Sequence, residues 1–358
     1  MDPAVARSNV PVTWSLGAAR FTFAEDAALG VVLHRVGSPG ALLADGTAVI
    51  ANSGQGQLVF LGHDGSVLRA AGRLGKGPGE FSNAVRVFNN GNEIATWDIS
   101  QRRVSYWSAD GRLKGDQHVQ TTYQPTLTGM LDPGSPLIRP RRPPVVQPIV
   151  YISYSNPGRS QINIGKLVPE QSDLVKWTYP NGSGTNVVMA SCFPALLDAA
   201  VDGRIVLIDN AAGTMILVDR AGRSSIIFER QHSQMVTPDM ISRVKKSLAS
   251  FPAPAPAETM TAVLKRLGVE GSRLPTTWDR IIPDQTGRVW LRRAQCQLRP
   301  PIRTWDVVDL SGRWVAIASI PDIEVLAARE MRLLGLVRDS LGIEHVALYE
   351  VIARGNVN

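Results

Sequence analysis

One unit recurs along this chain: a turn dipeptide ending in glycine, a short β-type stretch, a polar turn, a second β-type stretch and another glycine turn. It runs from Asp45-Gly46 to Asp64-Gly65, with strands expected at 47–51 and 57–61. The next copy runs from Asn90-Gly91 to Asp110-Gly111, with strands at 93–98 and 103–107. Two more run from Asp202-Gly203 to Ala221-Gly222, with strands at 204–209 and 215–219, and from Thr286-Gly287 to Ser311-Gly312, with strands at 288–292 and 305–309. The glycines within a unit stand 19, 20, 19 and 25 residues apart, the length of a two-strand hairpin with its flanking turns. Gly46 and Gly91 are 45 residues apart, a period that leaves room for four strands per repeat.

Four-stranded repeats of this length build a β-propeller, and 358 residues accommodate six of them plus an insertion. The expectation is therefore an all-β, six-bladed β-propeller occupying 1–358 as one domain, with a helical insertion between late blades. Longer spacings after Gly91 and Gly203 hold a degenerate repeat at about 125–190 and an insertion at about 233–272. In the insertion Thr237 caps a helix with Pro238 at its first position, and an alanine-proline run, 252–256, separates this from a second helix around Thr259–Leu267. The stretch 132–146, with Pro136, Pro140, Pro143 and Pro144 among Arg139, Arg141 and Arg142, reads as an irregular proline-stiffened basic loop. A strand at 14–16 is placed to close the ring beside the last repeat, removing the exposed edges.

Composition agrees with a turn-rich chain: 32 glycines and 24 prolines. Thirty-eight basic against 31 acidic residues give a net charge of +7, which favours an acidic protein surface or anionic membrane as partner. The basic residues are scattered through turns without aromatic interleaving, which argues against nucleic acid. Cys192 and Cys296 lie 104 residues apart with no CxxC, which excludes a zinc knuckle. No apolar run is long enough to span a membrane. The first residues lack a basic segment followed by an apolar core, which favours the cytoplasm.

The run Gly72-Arg73-Leu74-Gly75-Lys76-Gly77-Pro78-Gly79-Glu80-Phe81, followed by Trp97-Asp98 and Asp110-Gly111-Arg112, resembles the G-x-G-P-G-E-F segment of bacterial six-bladed β-propellers related to NHL-type repeats. That group is largely uncharacterised and mostly exported, so the resemblance implies the fold and favours an extracytoplasmic, periplasmic location.

Chemistry-bearing motifs are sparse. The glycine run lacks the Lys-Ser/Thr ending of a phosphate-binding loop and Pro78 removes an amide donor, so Gly75, Gly77, Pro78, Gly79, Glu80 and Phe81 read as a structural turn between blades, Phe81 entering the core. Asp98, Asp209, Asp219 and Asp309 follow strands, where aspartate bonds turn amides rather than a metal. His34, His63, His118, His232 and His345 have no ligand spacing. No catalytic residue, metal or cofactor is assigned. Arg139, Arg141 and Arg142, with Arg102, Arg103, Arg292, Arg293 and Arg299, form a candidate cationic rim for partner contact. The leading expectation is a non-catalytic scaffold or accessory subunit of a larger, membrane-associated complex. Its alternatives are a lactonase-like metal-dependent hydrolase working in the channel, and a glycan or peptide binder.

Overall fold

In the computed structural model, residues 12–354 are described except 83–84, 121–124, 141–148, 156–157, 166–173, 179–184, 190–195, 211, 230–232, 250–256, 259–260, 262–272, 276, 285 and 295–300. Both cysteines and most of the second helix expected around 259–267 lie outside them.

The turn dipeptides bracket strands as the repeat requires, and each bracketed pair is the middle of an antiparallel sheet. Four four-stranded sheets cover 41–71, 85–118, 125–165 and 196–229, each with its strands in chain order. An eight-stranded closed set follows. It consists of the strands of 278–321, those of 324–354, and the amino-terminal strand Val12–Phe23. That strand runs antiparallel to Glu344–Arg354 and parallel to Trp314–Pro321, so it joins the two halves at their outer edge. A single parallel pair, Asp284 with Ala328, joins them at the inner edge.

Hydrophobic residues on both sheet faces are consumed by face-to-face packing, which accounts for the nearly continuous apolar second and third strands such as Arg204–Asp209 and Thr214–Val218. The 41–71 sheet packs on the 85–118 sheet through Val49, Phe60, Val87, Ile94 and Trp107. The latter meets the 125–165 sheet through Trp97, Val104, Leu127 and Ile138. Leu131, Leu137, Ile205 and Leu207 carry the next interface, and Val206, Met215, Trp278 and Leu291 the one after. Trp14, Trp290, Trp305, Val325 and Leu333 join the two halves of the eight-stranded set. Leu326, Leu334 and Leu348 finally pack on Ile50, Val59 and Leu61, returning to the first sheet. The result is a nearly all-β, propeller-like arrangement.

Glycine is needed where turns press on a neighbour. Gly312 has φ +84°, and a Cβ there would sit 1.6 Å from the Ile227 carbonyl oxygen of the adjacent sheet.

One expectation is corrected. Of the stretch 132–146, read as an irregular Pro/Arg loop, Ser135–Pro140 is a strand paired with Pro125–Asp132. Proline is tolerated because Pro136 faces Met130 beside a register shift and Pro140 faces Pro125 at the strand end. The rest of that stretch from 141 onward lies outside the described residues. The helix α1, Pro238–Ala249, begins where Thr237 and Pro238 direct it, its first turn held by the Ile241 amide donating to the Thr237 carbonyl at 3.2 Å. Ser233–Met235 and Arg273–Pro275 pair on either side of it in the chain. Among the described residues no helix is long and apolar enough to cross a membrane.

Candidate functional site

Antiparallel pairing fixes which segments share an end of the molecule. First-to-second and third-to-fourth turns lie at one end, and second-to-third turns and sheet-to-sheet connections at the other. The first group consists of short Asp-Gly-type turns. In them an aspartate accepts backbone amides, as Asp219 does from Ala221 and Arg223 and Asp309 from Ser311 and Arg313. The second group holds the long connections, and the described basic residues of the expected rim, Arg102, Arg103, Arg139, Arg292 and Arg293.

The glycine run is a tightly bonded connection at this second end. Arg73–Leu74 and Glu80–Phe81 pair in parallel, and the Gly75 amide donates to the Phe81 carbonyl at 3.0 Å. The Glu80 carboxylate closes the turn, accepting from the Gly77 amide at 2.8 Å and from Arg73 Nε at 2.8 Å. The Gly77 N–H, then Arg73, hold its pKa below the ordinary carboxylate value. Gly75 has φ +155°, and a Cβ there would meet Glu80 Oε2 at 2.0 Å. Arg103, 2% exposed, donates from below to the Lys76 and Glu80 carbonyls. Gln101 and Ser82 bind Asp98, whose Oδ1 also accepts the Ser100 and Gln101 amides at 3.0 Å. Phe81 is buried against Trp107, ring centroids 5.7 Å apart. Gly79 has φ +70° and Pro78 is exposed, so the run offers a closed turn in place of an array of free amides.

The expected cationic rim is largely consumed by pairing. Arg139 lies 2.8 Å from Asp198, Arg292 2.6 Å from Asp279, and Arg293 2.8 Å from Asp306. Arg103 is buried as described, and Arg102 is exposed with φ +51°. Arg141, Arg142 and Arg299 lie outside the described residues. Two residues that sequence reasoning missed join the set: Arg303, 2.8 Å from Asp322, and Arg280, which binds the Val325 carbonyl at 2.8 Å and Glu324 at 3.4 Å. Burial pulls the Arg280 pKa down, and Glu324 offsets part of the shift.

What the connection end does expose is apolar. Ten large hydrophobic residues are exposed among those described, and six lie at this end: Leu29, Val32, Leu74, Ile302, Leu341 and Ile343. Leu341 is 83% exposed at the tip of the 339–343 turn. Val32 is held in place by Asn52, fully buried, whose Oδ1 accepts the His34 amide at 2.8 Å and whose Nδ2 donates to the Val32 carbonyl at 2.9 Å, and the Leu29 amide donates to Asp26 Oδ1 at 3.1 Å. The Val36 amide donates to Glu344 Oε2 at 2.8 Å, tying this connection to the strand that follows the 339–343 turn. Gly56 packs against the backbone of Leu74, bringing a third connection alongside.

At the opposite end a cavity of about 470 Å³ lies where four first strands turn into their second strands. Phe88, Met130 and Pro283 supply its apolar wall, and Asp132, Asp202 and Asp284 its rim. Asp132 is paired with Arg220. Asp284, 1% exposed, accepts from the Thr286 amide and hydroxyl and from the Glu330 amide. Among the described residues no three His, Cys, Asp or Glu side chains converge as a metal site would require.

Two solved structures resemble this chain over nearly its full length. A candidate exported protein of Bacteroides fragilis superposes with a TM-score of 0.53 at 12% identity, over 97% of this chain and 100% of that one. A member of the DUF4221 family from Bacteroides vulgatus superposes at 0.53 and 9% identity, over 95% and 99%. A streptogramin B lyase aligns at only 0.40, with 9% identity over 88% and 83%. No protein-family model and no curated protein matches the chain. At such identities the likeness is one of fold.

Proposed function

We propose that this chain is a six-bladed β-propeller that serves as a non-catalytic docking platform, an accessory subunit presenting its connection-bearing end to a protein of a larger, membrane-associated complex. The six-blade reading is supported by the cycle of packing clusters, which joins six four-stranded sets and returns to the first. Under this reading α1 belongs to an insertion between the fourth and fifth blades, and the glycine run braces the first blade against the second.

The observation that carries the functional reading is the gathering of Leu29, Val32, Leu74, Ile302, Leu341 and Ile343 at one end. Exposed apolar side chains scattered singly need no explanation, but a cluster set on rigid, hydrogen-bonded connections is the composition of an interface core. Arg141 and Arg142, whose charge suits an acidic partner, are assigned to the same contact as its polar rim. Such a rim acts on association rate more than on final affinity.

The experiment is co-purification from native membranes of the wild type and of a Leu29→Ser/Leu341→Ser/Ile343→Ser variant. The expected result is a stoichiometric protein partner with the wild type, lost from the variant while its Tm stays within about 1 °C, as surface changes allow. Recovery of the wild type as a lone monomer at every salt concentration, or equal partner recovery by both, overturns the reading. Neutralising Arg141 and Arg142 should slow association and reduce its salt dependence.

A further inference from the structure

Arginines on the strands of 278–321 follow one pattern. Arg292 lies over the Trp305 ring, 5.8 Å from its centroid, and binds Asp279 at 2.6 Å. Arg293 lies over Trp314 at 5.9 Å and binds Asp306 at 2.8 Å. Arg280, Arg303 and Arg313 are each held by a carboxylate as well, those of Glu324, Asp322 and Asp309. An aromatic face attracts a guanidinium through its flat side and leaves the in-plane N–H donors for an oxyanion, so one arginine accommodates both partners.

Arg288 has the ring without the acid. Its guanidinium lies over Trp14, 5.8 Å from the ring centroid, and among the described residues no carboxylate pairs with it. Two aspartates face it directly across the sheet, Asp284 on one neighbouring strand and Asp309 on the other. Both are committed elsewhere. Asp284 accepts from the Thr286 amide and hydroxyl, the Glu330 amide and the Trp290 indole, and Asp309 accepts from Ser311 and Arg313. Arg288 instead lines a cavity of about 400 Å³ at the aspartate-turn end, where the strands of 278–321 and 324–354 meet the amino-terminal strand. Val12, Trp14, Val315 and Met331 give this cavity an apolar wall. Its one acid, Glu330, stands 3.5 Å from Arg332 with its side chain 57% exposed, so it is drawn to another cation and to solvent. A half-buried guanidinium beside an apolar wall, in a volume within the roughly 300–1,000 Å³ range of ligand pockets, is the make-up of a small-molecule site.

We propose that Arg288 anchors a site for a small organic carboxylate, whose two oxygens take the guanidinium fork while its apolar body lies against Val12, Val315 and Met331. Trp14 holds the guanidinium in place, so the fork is set before the ligand arrives. A single guanidinium neutralises a carboxylate, whereas a phosphate dianion would keep uncompensated charge against an apolar wall. The site shares no residue with the docking surface and lies at the opposite end, so the two stand or fall separately.

The test is calorimetric titration of the full chain with phenylacetate, acetate, inorganic phosphate and phenethylamine, beside NMR of the nitrogen-15-labelled indoles with the Trp14 signal assigned through Trp14→Phe. Phenylacetate supplies carboxylate and apolar body, acetate the carboxylate alone, phosphate another oxyanion, and phenethylamine the same ring with the opposite charge. The expected result is saturable phenylacetate binding that shifts the Trp14 indole signal and weakens at least tenfold in Arg288→Met. Acetate, phosphate and phenethylamine should each bind at least tenfold more weakly than phenylacetate. Should Arg288→Met fail to fold, Arg288→Lys keeps the charge and loses the fork, and its phenylacetate affinity should fall tenfold. No saturable phenylacetate binding, equal binding by wild type and variant, or shifts that spare Trp14 overturn the site. Acetate binding as tightly as phenylacetate overturns the apolar wall, and phosphate or phenethylamine doing so overturns the carboxylate assignment.

Discussion

Truncating Trp14 to alanine removes the side chain by which the amino-terminal strand locks onto the last sheets. Trp14 is 5% exposed, its ring centroid lies 5.5 Å from that of Trp290, and the Arg288 guanidinium stands 5.8 Å above it. A buried Trp→Ala change costs about 3–5 kcal/mol from lost transfer energy and residual cavity, with a tilted aromatic pair accounting for roughly 1 kcal/mol of the effect. At about 2.1 cal/mol/K per residue, unfolding a chain of 358 residues carries an entropy near 0.75 kcal/mol/K, so a 4 kcal/mol loss lowers Tm by about 5 °C. Scanning calorimetry of Trp14→Ala beside Leu68→Ala, a 59% exposed control on an outer strand, gives the comparison. The control should move Tm by less than 1 °C. A Trp14→Ala variant within 1 °C of wild type would mean that the amino-terminal strand adds nothing to the ring, and closure as described would be wrong.

Other outcomes follow from the same physics. Asp306→Ala should cost about 3–5 kcal/mol in urea unfolding, because Asp306 is fully buried and its loss strands Arg293 and the Trp278 indole N–H; a cost under 1 kcal/mol would contradict that pairing. Glu80→Ala should speed limited proteolysis within 72–81 without comparable cleavage elsewhere, since the carboxylate holds both Gly77 and Arg73; an unchanged digestion pattern would count against the brace. Stability should be level from pH 7 to about 5 and fall below about pH 4. Asp64, Asp219 and Asp339 have depressed folded pKa values, from the Ser66 hydroxyl, the Arg223 guanidinium and the Ile343 amide respectively. Their stabilisation is present above the unfolded value near 4 and is lost as pH drops through the folded one. Asp219→Asn with Asp339→Asn should flatten the acid limb of Tm against pH, and an unaltered limb would refute this assignment.

The hairpins were legible because their punctuation is local. Asn90-Gly91 and Asp110-Gly111 bracket strands whose limits, Glu93–Asp98 and Arg103–Trp107, coincide with those expected. The strand around Trp14 was legible as a closing element because an unpaired apolar strand at one end of a repeat chain has only an edge to join. Pro136 and Pro140 misled, since a proline reads as a breaker unless the register shift and strand end that excuse it are known. The pairing of the rim arginines was not legible: Arg139, Arg292 and Arg293 are visible as charges, whereas Asp198, Asp279 and Asp306 become their partners only through strand register and sheet packing. The gathering of Leu29, Leu74 and Leu341 is likewise a property of assembly, carried by residues ordinary in sequence.

The docking reading turns on which surface meets a partner, and site-specific photo-cross-linking in native membranes answers that. A benzophenone side chain would be installed singly at Leu29 or Leu341 on the connection end, and at Leu68 or Ile226 on the outer strands, all strongly exposed. The platform predicts a discrete protein adduct from Leu29 and Leu341 and none from Leu68 or Ile226. Adducts of equal yield from all four positions, or from the outer strands alone, would contradict it.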